Sequence, residues 1–236
     1  MNDFEILKWD SEFFDLKVVK VGNNFLSNDL KLKLKFLYEK NADLIYYTST
    51  VEKIENFENQ YYDISLVSTR VPLIKKINKI TEIHPNISLY DKLSPDENLI
   101  SLAHLAGRQG RFGMDSRISK NIYNKIFENW MINSINKKMA DEVLVYKDND
   151  VIVGFATIKI DGNKGYVPLL AVDRPFEGKG VSFALMRAVE TRLVESGCEY
   201  LLSGTQEKNK KALAAFSRFG VELKTPEYVY HLWRKK

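Results

Sequence analysis

The order of segments along the chain predicts the α/β (α+β) class, with strands and helices interleaved in two regions. Three observations carry this expectation. From residue 88 onward the pattern reads helix, helix, strand, strand, strand, glycine turn, helix, strand, helix, strand. Aromatic residues make up 12% of the chain, with 12 Tyr and 13 Phe, a composition that favours several strands. The 236 residues exceed the usual ~100–150 of one domain and fall short of two full ones, so one complete domain and a smaller companion fit the length.

The first region, 1–85, opens with two extended patches, one around Trp9, Asp10, Ser11, Glu12, Phe13 and Phe14, the other over 17–21. Residues 28–40 read as a helix with Asn28 as N-cap and Leu30, Leu34 and Leu37 among its apolar members. A strand over 43–50, a short helix over 51–57 and a strand over 62–73 complete the region. Residues 75–87 mix Lys, Asn and Ile and include Pro85, so the domain boundary is expected there, dividing the chain into 1–85 and 86–236.

The second region begins with Ser88, Leu89 and Tyr90 and a helix that starts at Ser94-Pro95-Asp96-Glu97. Ser at the N-cap, Pro at the first position and Glu at the third match the capping-box pattern, and the helix ends near Gly107. A polar loop over 108–115 precedes a second helix over 119–136. Strands follow over 142–146 and 151–160 with a turn at 148–150, then a strand over 166–172. Helices over 182–196 and 209–219 flank a strand over 200–203. Gly220 ends the last helix, and 221–234 carry a final strand or hairpin.

Composition excludes several function classes. Thirty-five Lys and Arg against 31 Asp and Glu give a net charge of +4, which suits anionic small ligands and is too weak and dispersed for nucleic acid. No run approaches the ~18 apolar residues of a membrane span, and the N-terminus lacks a signal-peptide pattern. The one cysteine, Cys198, fits a buried small residue at a helix–strand join and a reducing, cytoplasmic compartment. No His/Cys/Asp/Glu spacing points to a metal. His231 and His104 read as structural histidines, and the Asp148/Asp150 pair belongs to a turn.

The most informative stretch is Leu170-Ala171-Val172 followed by Asp173-Arg174-Pro175-Phe176-Glu177-Gly178-Lys179-Gly180-Val181-Ser182 and a helix. Glycines in such a turn let backbone N–H groups face an anion, and the helix N-terminus adds partial positive charge. The P-loop and dinucleotide fingerprints are both absent. The turn resembles motif A of the GNAT acyltransferases, and Asn209, Ala212, Leu213, Phe216 and Gly220 follow that family's helix pattern. The segment order is similar to the family's as well. The resemblance covers 88–236. It implies a GNAT fold, a mixed central sheet flanked by helices, preceded here by a smaller N-terminal domain resembling part of that fold.

The resemblance also implies acetyl-CoA as cosubstrate and no metal. The donor would lie on Leu170, Ala171, Val172, Gly178, Lys179, Gly180, Val181, Ser182, Asn209 and Ala212. A backbone N–H near Ala171 would meet the oxyanion, and transfer would be direct. Leu7 to Phe14, Arg111-Phe112 and 129–134 are similar to TDP-fucosamine acetyltransferase and its relatives, sugar-nucleotide N-acetyltransferases of glycan biosynthesis. That implies a nucleotide-linked amino-sugar acceptor, no nucleic-acid or membrane partner, and an assembly compatible with a homodimer.

On the acceptor side, Arg108 and Arg111 suit a diphosphate or make solvated surface pairs, as does Arg117. Phe112 either stacks on a base or sugar or plugs the core. Trp130 faces the ligand or the core.

Three positions depart from the family pattern. Glu177 stands where the family loop opens with Arg or Gln, and Ser182 where it closes with Gly or Ala. Phe216 stands at the family's general-acid Tyr, and phenylalanine has no proton to give. Tyr228, Tyr230 or water would then serve as acid, or the thiolate leaves unassisted. Other readings are a peptide, lysine or polyamine acceptor, or a protein that binds CoA or a nucleotide sugar without turnover.

Overall fold

The computed structural model describes residues 4–22, 29–50, 54 and 59–235. The first elements are β1 (Phe4–Ile6), α1 (Lys8–Phe14), β2 (Val18–Val21), α2 (Leu30–Glu39), β3 (Leu44–Ser49), β4 (Tyr62–Lys76) and β5 (Ile87–Leu89). The helical pair and hairpin region comprises α3 (Glu97–Gly107), α4 (Arg111–Met114), α5 (Lys120–Ile135), β6 (Glu142–Asp148), β7 (Val151–Asp161), β8 (Lys164–Tyr166) and β9 (Leu170–Val172). The last part holds α6 (Val181–Glu195), β10 (Tyr200–Gln206), α7 (Lys210–Phe219), β11 (Glu222–Leu223) and β12 (Glu227–Arg234). Both α and β elements are thus present throughout, as the sequence predicts.

The chain forms two compact units, residues 1–70 with 225–236, and residues 71–224. The boundary expected near 85 falls inside the second unit, and the C-terminal strand belongs to the first. Pairing explains this. In the first unit β12 lies antiparallel between β3 and β4, with Tyr230 opposite Tyr47 and Leu66. The 77–87 segment is tied instead to α6, where the Thr81 N–H donates to Thr191 Oγ1 at 3.0 Å.

In the first unit β2 and β3 are parallel, with α2 between them in sequence, and β1 pairs with β2. Val19, Val21, Leu34, Leu37, Ile45, Tyr47, Tyr62, Tyr230 and Leu232 form its core. The first aromatic patch is helical, not extended. Trp9 and Phe13, one turn apart, stack with centroids 5.0 Å apart, and the Ser11 hydroxyl donates to the Leu7 carbonyl and accepts the Val18 N–H. Local stacking and capping outweigh the β preference of aromatic residues. Asn28 and the helix expected over 51–57 lie outside the described residues, apart from Ile54.

The second unit's strands run β4, β10, β8, β7, β6, β5, with β9 also on β7 and β11 also on β4. Strand alternation puts Leu144, Ala156 and Ile158 in one cluster with Val181, Leu185, Val189 and Leu193 of α6. The opposite face of β7 is covered by α3, which packs on α5. The α3 N-cap is Asp96, whose carboxylate accepts the Leu99 N–H at 2.9 Å, so the helix starts two residues later than the Ser94 pattern suggests. Ser119 does cap α5. Cys198 is buried at the α6–β10 join, and burial raises its thiol pKa. Among the described residues no helix is long and apolar enough to cross a membrane, and no cluster of three metal-ligating side chains occurs.

Close approach of α6 to the sheet depends on Gly165 of β8. A Cβ there would lie 2.1 Å from a Leu193 methyl carbon. Gly165→Ala is therefore expected to destabilise the chain by about 1–3 kcal/mol through overpacking, read as a lower midpoint in urea denaturation with unchanged slope.

Candidate active site

The strand expected over 166–172 is broken. Lys159 pairs with Tyr166, yet Ala156 pairs with Leu170. Three steps along β7 thus match four along its partner, which is a β-bulge at 167–169. Pro168 sits in the bulge and has no N–H for the ladder. The Leu169 N–H turns instead to Thr157 Oγ1 at 3.0 Å.

The bulge opens the sheet. β10 runs parallel to β8, pairing Leu202 with Tyr166, and the Val167 N–H still donates to the Leu202 carbonyl. Beyond that point β9 pairs with β7 alone. Strand parity fixes which groups border the resulting gap. Asp173 N–H donates to Val153 O, and Thr157 N–H to Leu169 O, so Leu169, Ala171 and Asp173 turn their backbone groups to β7. Leu170 and Val172 turn theirs the other way. Ala171 itself belongs to the β7 ladder, so of the residues near it Leu170 and Val172 are the ones whose N–H groups turn away from β7.

The carboxyl ends of β9 and β10 both lead to helix starts. After β9, Asp173 caps the N–H of Arg174, a 3-10 turn spans Arg174–Phe176, and the chain reaches Gly178 (φ +76°) and Gly180 (φ +85°). Left-handed backbone at these two positions turns successive N–H groups outward, and only glycine adopts it without strain. A Cβ on either would meet nothing within 4 Å, so the space above the turn is open. Gly180 is the N-cap of α6, and no side chain caps the N–H groups there. Val181 is buried beneath the turn, while Ser182 and the exposed Lys179 flank it; the Lys179 ammonium lies over the Phe176 ring at 4.9 Å.

After β10, Asn209 caps α7 by accepting the Ala212 N–H at 3.2 Å. Glu177 does not stand alone beside the turn. Lys211 of α7 pairs with its carboxylate at 2.6 Å, offsetting the charge that departs from the family pattern. The Lys208, Lys210 and Lys211 run is the sequence signal that marks this compensation.

Phe216, on the same α7 face as Ala212, is 8% exposed and belongs to the core cluster with Leu185 and Phe219. Tyr228 and Tyr230 lie on β12 in the first unit. Tyr230 is 1% exposed, stacks on Tyr47, and its oxygen accepts the Ile54 N–H at 2.7 Å. That hydroxyl is committed to packing within the first unit.

The arginine loop reaches the end of β10: a Cβ on Gly110 would lie 3.7 Å from the Gln206 side-chain nitrogen. Arg108 is exposed as the α3 C-cap, and the Arg111 guanidinium lies over the Phe112 ring at 4.5 Å. Phe112 is 2% exposed and meets the half-buried Trp130 edge-on at 5.7 Å, so its ring plugs the core. Burial pushes up the Tyr123 phenol, with Arg108 nearby opposing, and its hydroxyl donates to the His104 carbonyl. His104 Nε2 is engaged with the Asn124 carbonyl at 3.1 Å, a structural role. His231 is buried in the first unit beside Tyr46. Sequence reasoning missed Ser203, Thr205 and Gln206, the β10 residues beyond the last parallel pair; only the position of Pro168 hints at them.

Comparisons with known proteins agree with this geometry. Residues 113–221 match the acetyltransferase (GNAT) family model. The spore coat polysaccharide biosynthesis protein SpsD of Bacillus subtilis is 27% identical over 160 residues, 63% of this chain and 55% of that protein. The N-alpha-acetyltransferase MAK3 of Arabidopsis thaliana is 33% identical over 69 residues, 29% of this chain and 36% of that protein. The chain therefore spans about half or less of the length of these curated relatives. A GNAT-family structure from Novosphingobium aromaticivorans superposes with a TM-score of 0.59 at 11% identity, covering all of this chain and 90% of that one, which shows a shared fold. Bulge, open gap and glycine turn fall in the second unit, which also contains the segment matched by the acetyltransferase (GNAT) family model.

Proposed function

We propose that the chain is an acetyl-CoA-dependent N-acetyltransferase whose acceptor is the amino group of a nucleotide-linked amino sugar. The observation that carries the donor half is the gap at the Pro168 bulge, leading straight to the Gly178–Gly180 turn. A pantetheine arm has the amide groups to pair with Leu170 and Val172 as a missing strand would, and the pyrophosphate suits the uncapped N–H groups of α6. The acceptor half is supported by the relative in polysaccharide biosynthesis and by the arginine loop beside Gln206. The first unit, with its β–α–β–α–β order, is read as a partial copy of the same fold.

The chemistry asks little of the chain. The amine nitrogen attacks the thioester carbonyl, the C–S bond breaks and the amine proton passes to solvent or thiolate. A sugar amine is less basic than the ~10.4 of lysine, because ring oxygens withdraw charge, so more of it is neutral at pH 7. The N–H of Leu170 or Val172 meets the oxyanion. A water relay serves as base, as suits an amine less basic than lysine.

A second reading is an α-amine of a peptide, favoured by the MAK3 similarity over 69 residues. Thiol release from acetyl-CoA is expected with at least one of a panel of TDP- and UDP-linked amino sugars and not with N-terminal peptides. Release with peptides alone would transfer the assignment to the second reading, and tight acetyl-CoA binding without any release would favour a non-catalytic binder.

The acid question has its own test. A CoA thiol, with a pKa near the ~8.5 of cysteine, is a tolerable leaving group. Phe216→Tyr restores a donor on the α7 face that carries Ala212. It is expected to raise kcat about tenfold, at the low end for general-acid help. An unchanged kcat would show that this position does not face the departing sulfur.

A further inference from the structure

The outer side of α2 carries apolar residues where a surface helix ordinarily carries polar ones. Leu34 and Leu37 are fully buried with Val19, Val21 and Ile45 and define the inner side. At 3.6 residues per turn Leu32 stands nearly opposite them, and it is 68% exposed. Phe36, one turn on, is 40% exposed, and its ring meets Phe4 of β1 edge-on at 6.1 Å. Phe4 and Ile6 pair with Val21 and Val19, so both point to the α2 side of the sheet, and Ile6 is 53% exposed. Single exposed apolar side chains are ordinary, but here an apolar ridge on the helix continues onto the edge strand.

Cations frame this ridge. By the same helical spacing Lys31 and Lys35 stand to one side of Leu32, and Lys33 and Lys40 to the other. Residues 29–40 hold these four lysines against Asp29 and Glu39. Lys31, Lys35 and Lys40 are exposed. Lys35 pairs with Glu39 at 3.7 Å, an exposed contact that holds neither side chain firmly. The Lys40 ammonium lies over the Phe36 ring at 5.6 Å, so charge and ring are presented together.

Size and chemistry select the occupant. The ten residues of α2 rise about 15 Å. With the three residues of β1 they offer far less than the ~800 Å² per partner of a stable protein interface. The ridge is convex, one helix wide and flanked by lysines on both sides. A helix lying in the plane of a bilayer has this layout, with apolar residues at the acyl boundary and lysines at anionic headgroups.

We propose that the first unit docks on an anionic lipid surface through α2 and β1, with Leu32 and Phe36 inserted at headgroup level and Lys31, Lys35 and Lys40 on the lipid phosphates. The contact is peripheral, since among the described residues no helix is long and apolar enough to cross a membrane. It departs from the family resemblance, which implies no membrane partner. Every residue involved belongs to the first unit, so docking is independent of the acetyl donor and its site. Three lysines make such binding weak, reversible and salt-sensitive.

Co-sedimentation of the full chain with vesicles is the test. Mixed phosphatidylglycerol and phosphatidylcholine vesicles are expected to bind the chain about tenfold more strongly than phosphatidylcholine alone. Raising salt from about 0.05 to about 0.3 M is expected to reduce that binding about tenfold, as screening weakens the lysine attraction. Lys31→Gln with Lys35→Gln is expected to weaken it about tenfold, and Leu32→Ser by a similar factor of about ten, through lost apolar burial. Lys138→Gln with Lys164→Gln removes the same charge from exposed positions of the second unit and is expected to change nothing. All the substituted side chains are exposed, so each variant is expected to fold. Equal binding to both kinds of vesicle, binding to neither, or a loss that the second-unit pair reproduces would overturn the proposal. So would a dimer seen without vesicles and lost with Leu32→Ser, which would assign the ridge to a second copy of the chain.

Discussion

A single backbone irregularity organises the second unit. The bulge at 167–169, fixed by the missing N–H of Pro168 and by the Leu169–Thr157 bond, shifts the register of one strand by one residue. Without it, β9 would continue the β8 pairing with β10 and the sheet would close. With it, the edge of β9 carries half-buried Leu170 and Val172, whose backbone groups face away from the β7 ladder. The glycine turn adds to this. It follows β9, so the same displacement that opens the gap also aims the α6 N-terminus at its mouth. The open strand edge and the glycine turn thus both follow the same bulge within fifteen residues of chain.

The second constraint is the seat of α6. Gly165 lets the helix approach β8 more closely than a side chain would permit, and Gly154 leaves a tight fit under Val181, since a built Cβ would lie 2.1 Å from Leu193 and 3.0 Å from Val181. Close seating fixes the height of the helix N-terminus over the sheet. The turn above it tolerates substitutions that a side-chain-based anion site would not. Glu177 brings a carboxylate to the rim, and Lys211 answers it from the next helix. The pair is exposed and contributes little to stability; its effect is electrostatic, because Lys211 offsets the one carboxylate within the turn from Glu177 to Ser182.

How much of this was legible in the sequence differs by scale. The alternation of elements, the caps at Ser119 and Asn209 and the glycine turn are local features, and local features read well. Asp96 displaced Ser94 as cap because both are good capping residues two positions apart, and only geometry decides between them. Trp9 to Phe14 misled because aromatic residues favour strands in general, while here a stack one turn apart favours a helix. The domain boundary and the role of β12 are non-local. Its partners in β3 and β4 are more than 150 residues away in sequence, so no window on 227–234 announces that Tyr230 is a core residue of the first unit. Ala171 illustrates the finest scale: strand and residue were identified, yet the direction of its N–H depends on a one-residue shift three positions earlier.

Phe216 shows how the arrangement bears on chemistry. A tyrosine at a position 8% exposed would need a polar partner for its hydroxyl whenever the donor is absent, at a cost of about 1–3 kcal/mol if none is met. Phenylalanine avoids that cost and joins the cluster with Leu185 and Phe219. The trade is acceptable only if the reaction does not depend on a strong acid. An acceptor amine less basic than lysine and a thiol leaving group of pKa near ~8.5 come closer to that condition than a lysine acceptor, which is protonated almost entirely at pH 7. A phenylalanine at 216 and a thiol that leaves without a strong acid are therefore consistent with the weakly basic acceptor proposed above.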